Sequence, residues 1–85
     1  MSALPSLRQL RYLVALSERL NFRMAAEDCF VTQSTLSAGI KELETLLGVE
    51  LVERDTRSVR ITAIGADTVA RARTLLAQAQ DLMEV

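Results

Sequence analysis

The stretch from Ala25 to Gly48, AAEDCFVTQSTLSAGIKELETLLG, decides the fold. It reads as a short helix, a tight turn and a longer helix. Phe22, Ala25, Ala26 and Cys29 stand at i, i+3, i+4 and i+7, the spacing of one helical face. Leu36, Ile40, Leu43 and Leu47 form the same kind of stripe in the longer segment. At about 100° per residue, the side opposite that second stripe carries Ser34, Ala38, Lys41 and Thr45, with Gln33 and Ser37 beside it near the helix start. A helix with an apolar back and a front of small polar residues plus one lysine is shaped to enter a groove. The second helix of a helix-turn-helix enters the DNA major groove in this way.

The flanking sequence extends this pattern in both directions. Residues 6–20, SLRQLRYLVALSERL, form a preceding helix whose buried stripe is Leu7, Leu10, Leu13, Val14 and Leu20, widened by Tyr12 and Leu16. Ser6 is its N-cap, and Pro5 keeps the chain before it extended. Asn21 caps a second helix over 22–29, Val31 is the apolar residue of the turn, Thr32 caps a third helix over 33–47, and Gly48 ends it. VELVER (49–54) and SVRIT (58–62) are short, β-branched and partly alternating, and read as a two-stranded hairpin around DTR. The last segment, residues 63–85, is helical again, rich in alanine and leucine, with Thr62 as its N-cap.

Val69, Ala72, Leu76, Ala79 and Met83 alternate spacings of three and four along that last segment, which is a heptad seam. The expected fold is therefore mainly α. A winged helix-turn-helix of three helices plus a two-stranded wing occupies residues 1–62, and a long dimerisation linker helix follows over 63–85. Core packing within one chain is the competing reading of the seam. Three helices are already available to fill the core, and this favours dimerisation. The helix is further expected to continue, or to lead into another domain, since Val85 carries no capping signal.

Eighty-five residues make one domain with a marginal core, to which association often adds burial. A hydrophobic content of 49% argues for a folded globule. The single cysteine excludes an internal disulfide framework. With no histidine, the usual zinc constellations and histidine acid–base chemistry are absent. There is also no glycine-rich phosphate loop and no nucleophile–base pair, so neither an enzyme nor a cofactor is expected. The apolar runs are too short to span a bilayer, and MSALPSLRQ lacks the features of a signal peptide, so a bacterial-type cytoplasm is the default compartment. Ten Lys+Arg against eleven Asp+Glu give a net charge of −1, an objection to phosphate binding that only the distribution of charge can answer. Arg54, Arg57 and Arg60 lie close together with Asp55 as the sole acid among them, and the Glu-rich segments can face away.

Residues Leu7 to Gly65 resemble the N-terminal domain of the LysR-type transcriptional regulators. The matching pieces are LRQLRYLVAL, NFRMAAE, VTQSTLSAGIKELETLLGVELVER and ITAIG. Of the family's central pattern the chain keeps Ala25, Ala26, Gln33, Ser37, Ile40, Leu43, Glu44, Leu47, Gly48, Leu51 and Arg54. It departs at Ser34 and Ala63, where proline is common, at Val52, where phenylalanine is frequent, and at Ala38-Gly39, a pair that often includes arginine. The missing cation at position 38 puts one base or phosphate contact in question, not the fold. TLSAGIKELE and Cys29 are similar to the peroxide-responsive, OxyR-like branch.

The resemblance implies a sequence-specific DNA-binding domain that binds an inverted-repeat operator as a dimer. The recognition helix would enter the major groove and an arginine-bearing wing would approach the minor groove. It also implies a C-terminal effector domain and a tetramer for the complete protein. That domain is absent from this chain, so no effector ligand is expected here.

Gln33 is suited to a bidentate pairing with an adenine edge, and Ser37 to a base edge or phosphate. Ser34 reads equally as a contact and as a helix-start hydroxyl. Thr32 is first an N-cap and second a phosphate contact. Thr35 and Ala38 suit a thymine methyl, with a plain surface role as the rival reading. Lys41 suits phosphate, against pairing with a nearby glutamate. Arg54, by resemblance, belongs at the minor groove, where a narrow groove attracts cations, and a pair with Glu53 or Asp55 is its rival. Arg57 and Arg60 are phosphate candidates or hairpin charges, and Arg8, Arg11 and Arg23 are backbone contacts or solvated residues. Cys29 reads as a buried, inert thiol. The alternative function is a winged-helix protein-interaction module, which the near-neutral charge supports.

Overall fold

Every helix starts at a side-chain cap that the sequence places there. In the computed structural model, which describes residues 4–84, the elements are α1 (Leu7–Arg19), α2 (Phe22–Asp28), α3 (Gln33–Leu47), β1 (Val52–Arg54), β2 (Val59–Ile61) and α4 (Ala63–Asp81), then a 3-10 turn, Leu82–Glu84. Residues 1–3 and Val85, the outer ends of the two expected segments, lie outside the described residues. Ser6 and Gln9 form a reciprocal capping box: Gln9 N donates to Ser6 Oγ at 3.1 Å and Ser6 N donates to Gln9 Oε1 at 3.0 Å. Asn21, Thr32 and Thr62 accept from the amides of Met24, Thr35 and Gly65. Gly48, at φ 71°, ends α3 in the left-handed region, and its N–H donates to Glu44 O at 2.8 Å. Leu20 ends α1 at φ 52°, a region that side chains enter at a cost. Arg19 grips Asp28 through two hydrogen bonds, at 2.7 and 3.0 Å, and ties the ends of α1 and α2 together.

The core is built around α1, which packs on α2, α3 and α4. Leu13, Leu16, Leu36, Ile40, Leu43 and Leu51 are fully buried in it. Gly39 is buried too, and a β-carbon there would meet the Tyr12 ring at 2.5 Å. Position 39 therefore faces α1, and the departure from the family pattern at this residue concerns packing, not a nucleic-acid contact.

β1 and β2 are antiparallel, pairing Val52 with Ile61, Glu53 with Arg60 and Arg54 with Val59. The strands are shorter than the expected segments: the Leu51 amide turns to α3, and Thr62 leaves β2 to cap α4 while still bonding to the residues before β1. Thr62 donates through Oγ1 to Glu50 O and through N to Leu51 O. The Glu44 carboxylate, from α3, accepts the N–H groups of Leu51 and Val52 at 2.8 and 3.2 Å. Glu44→Ala leaves both amides without that acceptor, and is expected to cost about 1–3 kcal/mol in denaturant unfolding, with Glu44→Gln recovering part of the loss. An unaltered midpoint for the alanine variant would remove the wing root from the stability of the fold.

Asp55 closes the wing turn, accepting from the amides of Arg57 and Ser58 at 2.8 Å each. Those amides hold its carboxyl below the usual carboxylate range, and the Arg19 guanidinium does the same for Asp28. Groups with depressed pKa values contribute stability above the ordinary carboxylate range and lose it as pH falls through the lowered values. A carboxyl NMR titration should show both inflections below that of an ordinary aspartate. Inflections at the ordinary position would contradict both arrangements.

The structure corrects several expectations. The last helix does have a place in the core: Val69 and Ala72 are 8% and 1% exposed, and Leu76 packs half-buried against the same cluster. Ala79 is half-buried, while Met83 is 79% exposed in the 3-10 turn that follows α4. The first half of the seam thus faces α1 of its own chain, because the small side chain of Ala72 lets the two helices approach. Leu7, Leu20 and Leu47, expected in buried stripes, are 51%, 49% and 40% exposed: each lies at a helix end, Leu20 as the C-cap of α1. α2 stops at Asp28, with Cys29 as its cap residue rather than its last turn. Among the described residues, no helix is long and apolar enough to cross a membrane, and no group of three or more side chains is placed to hold a metal ion.

Candidate nucleic-acid interface

α3 divides cleanly into two faces. Leu36, Gly39, Ile40 and Leu43 are buried, while Thr32, Gln33, Ser34, Thr35, Ala38 and Lys41 are exposed and Ser37 is half-buried. The hydroxyls of the first turn are largely engaged with one another. Thr32 Oγ1 accepts from Thr35 N, donates to Thr35 Oγ1 at 2.8 Å and lies 3.4 Å from Ser34 Oγ. Among the described residues no hydrogen bond occupies the Gln33 side chain or the Lys41 ammonium, so both carry free donors. Lys41 and Arg54 share a shallow cavity of about 340 Å³ with Glu44, Glu50 and Glu53, yet neither makes an ion pair with them.

The wing folds back toward this face. The Arg54 guanidinium sits 4.9 Å from the centre of the Phe22 ring, and its Nη1 donates to Ser37 Oγ at 3.5 Å. Neither Glu53 nor Asp55 pairs with it, since the Asp55 carboxylate is occupied by the turn amides and by Ser58. Gln33, Arg23 and Arg57 line one groove of about 310 Å³ between the helix-turn-helix and the wing tip. The structure therefore brings together Ser37 with Arg54, Lys41 with Arg54, and Gln33 with Arg57.

The ion pairs bear on the objection raised by the net charge. Ion pairs among the described residues take up Arg19, Arg23, Arg71 and Arg73, the Arg23 pair being an exposed i,i+4 contact to Glu27. Lys41, Arg54, Arg57 and Arg60, on the recognition helix and wing, stay outside those pairs, as do Arg8 and Arg11 on α1. Cations without ion pairs are thus present on α3 and the wing of an acidic chain, with Glu44, Glu50 and Glu53 beside Lys41 and Arg54, and distribution governs attraction to phosphate more than the total does. Cys29 is half-buried, and burial pushes its thiol pKa up, against a smaller opposing pull from Arg11. A raised pKa is the mark of an unreactive thiol.

Two contacts lay beyond the sequence reading, those of Phe22 and of Glu44. Phe22 was legible only as part of an apolar face, and no pattern pairs it with the wing. Glu44 was legible as a family residue, but its role as acceptor for the Leu51 and Val52 amides follows from the fold alone.

The family model described as bacterial regulatory helix-turn-helix protein, lysR family, matches residues 7–66. The HTH-type transcriptional regulator EstR of Acinetobacter baylyi is 67% identical over 85 residues, covering 100% of this chain and 28% of that protein. The structure of a full-length OxyR variant from Pseudomonas aeruginosa is similar at a TM-score of 0.90 and 47% identity, over 93% of this chain and 27% of that one. The BenM DNA-binding domain, solved in a complex with catB site 1 DNA, is similar at a TM-score of 0.87 and 37% identity, over 93% of this chain and 88% of that one. The chain spans little more than a quarter of the full-length relatives it matches.

Proposed function

The chain belongs to the lysR family of bacterial regulatory helix-turn-helix proteins, and from that premise we propose that residues 1–62 are the sequence-specific DNA-binding domain of a transcriptional regulator, with residues 63–85 as its linker helix. α3 enters the major groove of double-stranded DNA and the wing, through Arg54, approaches the minor groove. The observation that carries this reading is the division of α3: one face is locked into the core, and the other presents Gln33, Ser34, Ala38 and Lys41 beside the wing. Phosphate contacts from Lys41, Arg54 and Arg57 position the protein, while Gln33 and Ser37 supply part of the base readout.

The regulator binds an inverted repeat as a homodimer, and the complete protein is a cytoplasmic tetramer with an effector domain beyond this chain. With Val69 and Ala72 committed to the core, the dimer contacts of the seam fall to Leu76, Ala79 and Met83. Exposed Leu75 and Leu82 lie on the same segment and add apolar surface. The domain itself is not an enzyme and uses no cofactor.

Gln33→Ala tests the readout. It is expected to relax preference at one base pair by about 1–3 kcal/mol and to leave preference elsewhere intact. Equal losses on all sequences would reassign Gln33 to positioning. The winged-helix protein-interaction reading predicts instead that duplex affinity does not fall steeply with added salt.

A further inference from the structure

Phe22 is the first residue of α2, and the Asn21 cap fixes the start of that helix. Its half-buried ring turns one face toward Arg54, the last residue of β1, with the guanidinium carbon 4.9 Å from the ring centre. The same guanidinium reaches Ser37 Oγ in α3. Arg54, on β1, is thus held against α2 and α3 without a carboxylate partner, although Glu53 and Asp55 flank it in sequence. That distinction matters chemically. A salt bridge would neutralise the cation and consume its donors. A ring face attracts the charge through its quadrupole and leaves the in-plane N–H groups of the guanidinium unoccupied.

We propose that Phe22 is a positioning residue for nucleic-acid binding: its ring holds the wing arginine beside Ser37 in the free protein, with its charge and most of its N–H donors kept for the phosphate or base edge. This deepens the DNA-binding reading and rests on it. An arginine ordered before the encounter loses less side-chain freedom on binding, and Phe22 gives that advantage without touching DNA. The arrangement also couples the start of α2 to the wing, so the recognition helix and the wing approach the duplex as one surface.

The test uses Phe22→Leu, which keeps apolar volume and removes the ring, and Phe22→Tyr, which keeps the ring. In the free protein, the Arg54 δ-protons should be shifted upfield by the ring, lose that shift in Phe22→Leu and retain it in Phe22→Tyr. On an operator recovered by selection, Phe22→Leu should bind about two- to fivefold more weakly, the range of an exposed cation–π contact. Phe22→Tyr should bind as the unaltered protein does, and Phe22→Leu should cause no further loss in an Arg54→Ala background. An Arg54 signal insensitive to the Leu variant, or equal losses in both backgrounds, would overturn the proposal. Failure of the unaltered protein to bind any duplex would overturn the DNA reading instead, while the free-protein spectrum would still decide where Arg54 is held.

Discussion

Alanine at Gly65 is expected to destabilise the domain by about 1–3 kcal/mol, the cost of forcing a methyl group into a packed site. A β-carbon there would run into the Leu51 carbonyl oxygen, with Ile61 Cγ2 at 2.9 Å and Leu51 C at 3.0 Å. These neighbours are backbone and wing, not the free end of a flexible side chain. The Leu51 oxygen accepts from Thr62 N at 3.0 Å, and Thr62 in turn caps α4 by accepting from Gly65 N at 2.9 Å. Leu51 itself is fully buried. Relief of the clash therefore has to disturb the wing root, the α4 cap or the core. Thermal or denaturant unfolding measures the loss. A Gly65→Ala protein as stable as the parent would show that the start of α4 is not seated against Leu51 and Ile61 as described.

Arg54→Ala has the largest expected effect on binding. It should weaken operator affinity roughly ten- to hundredfold, the range of one charge-assisted hydrogen bond, and reduce the salt slope by about one counterion. Arg54→Lys should retain the slope but recover only part of the affinity, because an ammonium lacks the planar fork of the guanidinium. The Ser37 contact is long, at 3.5 Å, so losing it alone should matter less than losing the cation. An unchanged slope in Arg54→Ala would take the residue out of the phosphate and groove contacts.

The helix-turn-helix was legible because its signals are local. The caps Ser6, Asn21, Thr32 and Thr62 and the terminator Gly48 each act within a turn of their own position, and all five stand where the sequence places them. The two faces of α3 were legible from periodicity, except that Gly39 joined the buried side and Leu47 left it. What periodicity lacks is an address. The spacing of Val69, Ala72 and Leu76 is the same whether the partner is α1 or a second chain, and the structure buries Val69 and Ala72 in the intrachain core while Leu76 stays half-buried at its edge. Contacts between residues distant in sequence were equally hidden. Nothing in the pattern brings Phe22 to Arg54, or the Glu44 carboxylate to the amides of Leu51 and Val52. The candidate DNA residues of α3 were therefore readable as a set, while the arrangement that holds the wing arginine beside them was not.

Selection of bound sequences from a random duplex library, at two salt concentrations, tests the central claim most directly. The account predicts enrichment of one inverted repeat, bound more weakly at the higher salt concentration. Recovery of no preferred sequence would contradict sequence-specific recognition by α3 and the wing, and would leave that surface to a protein partner.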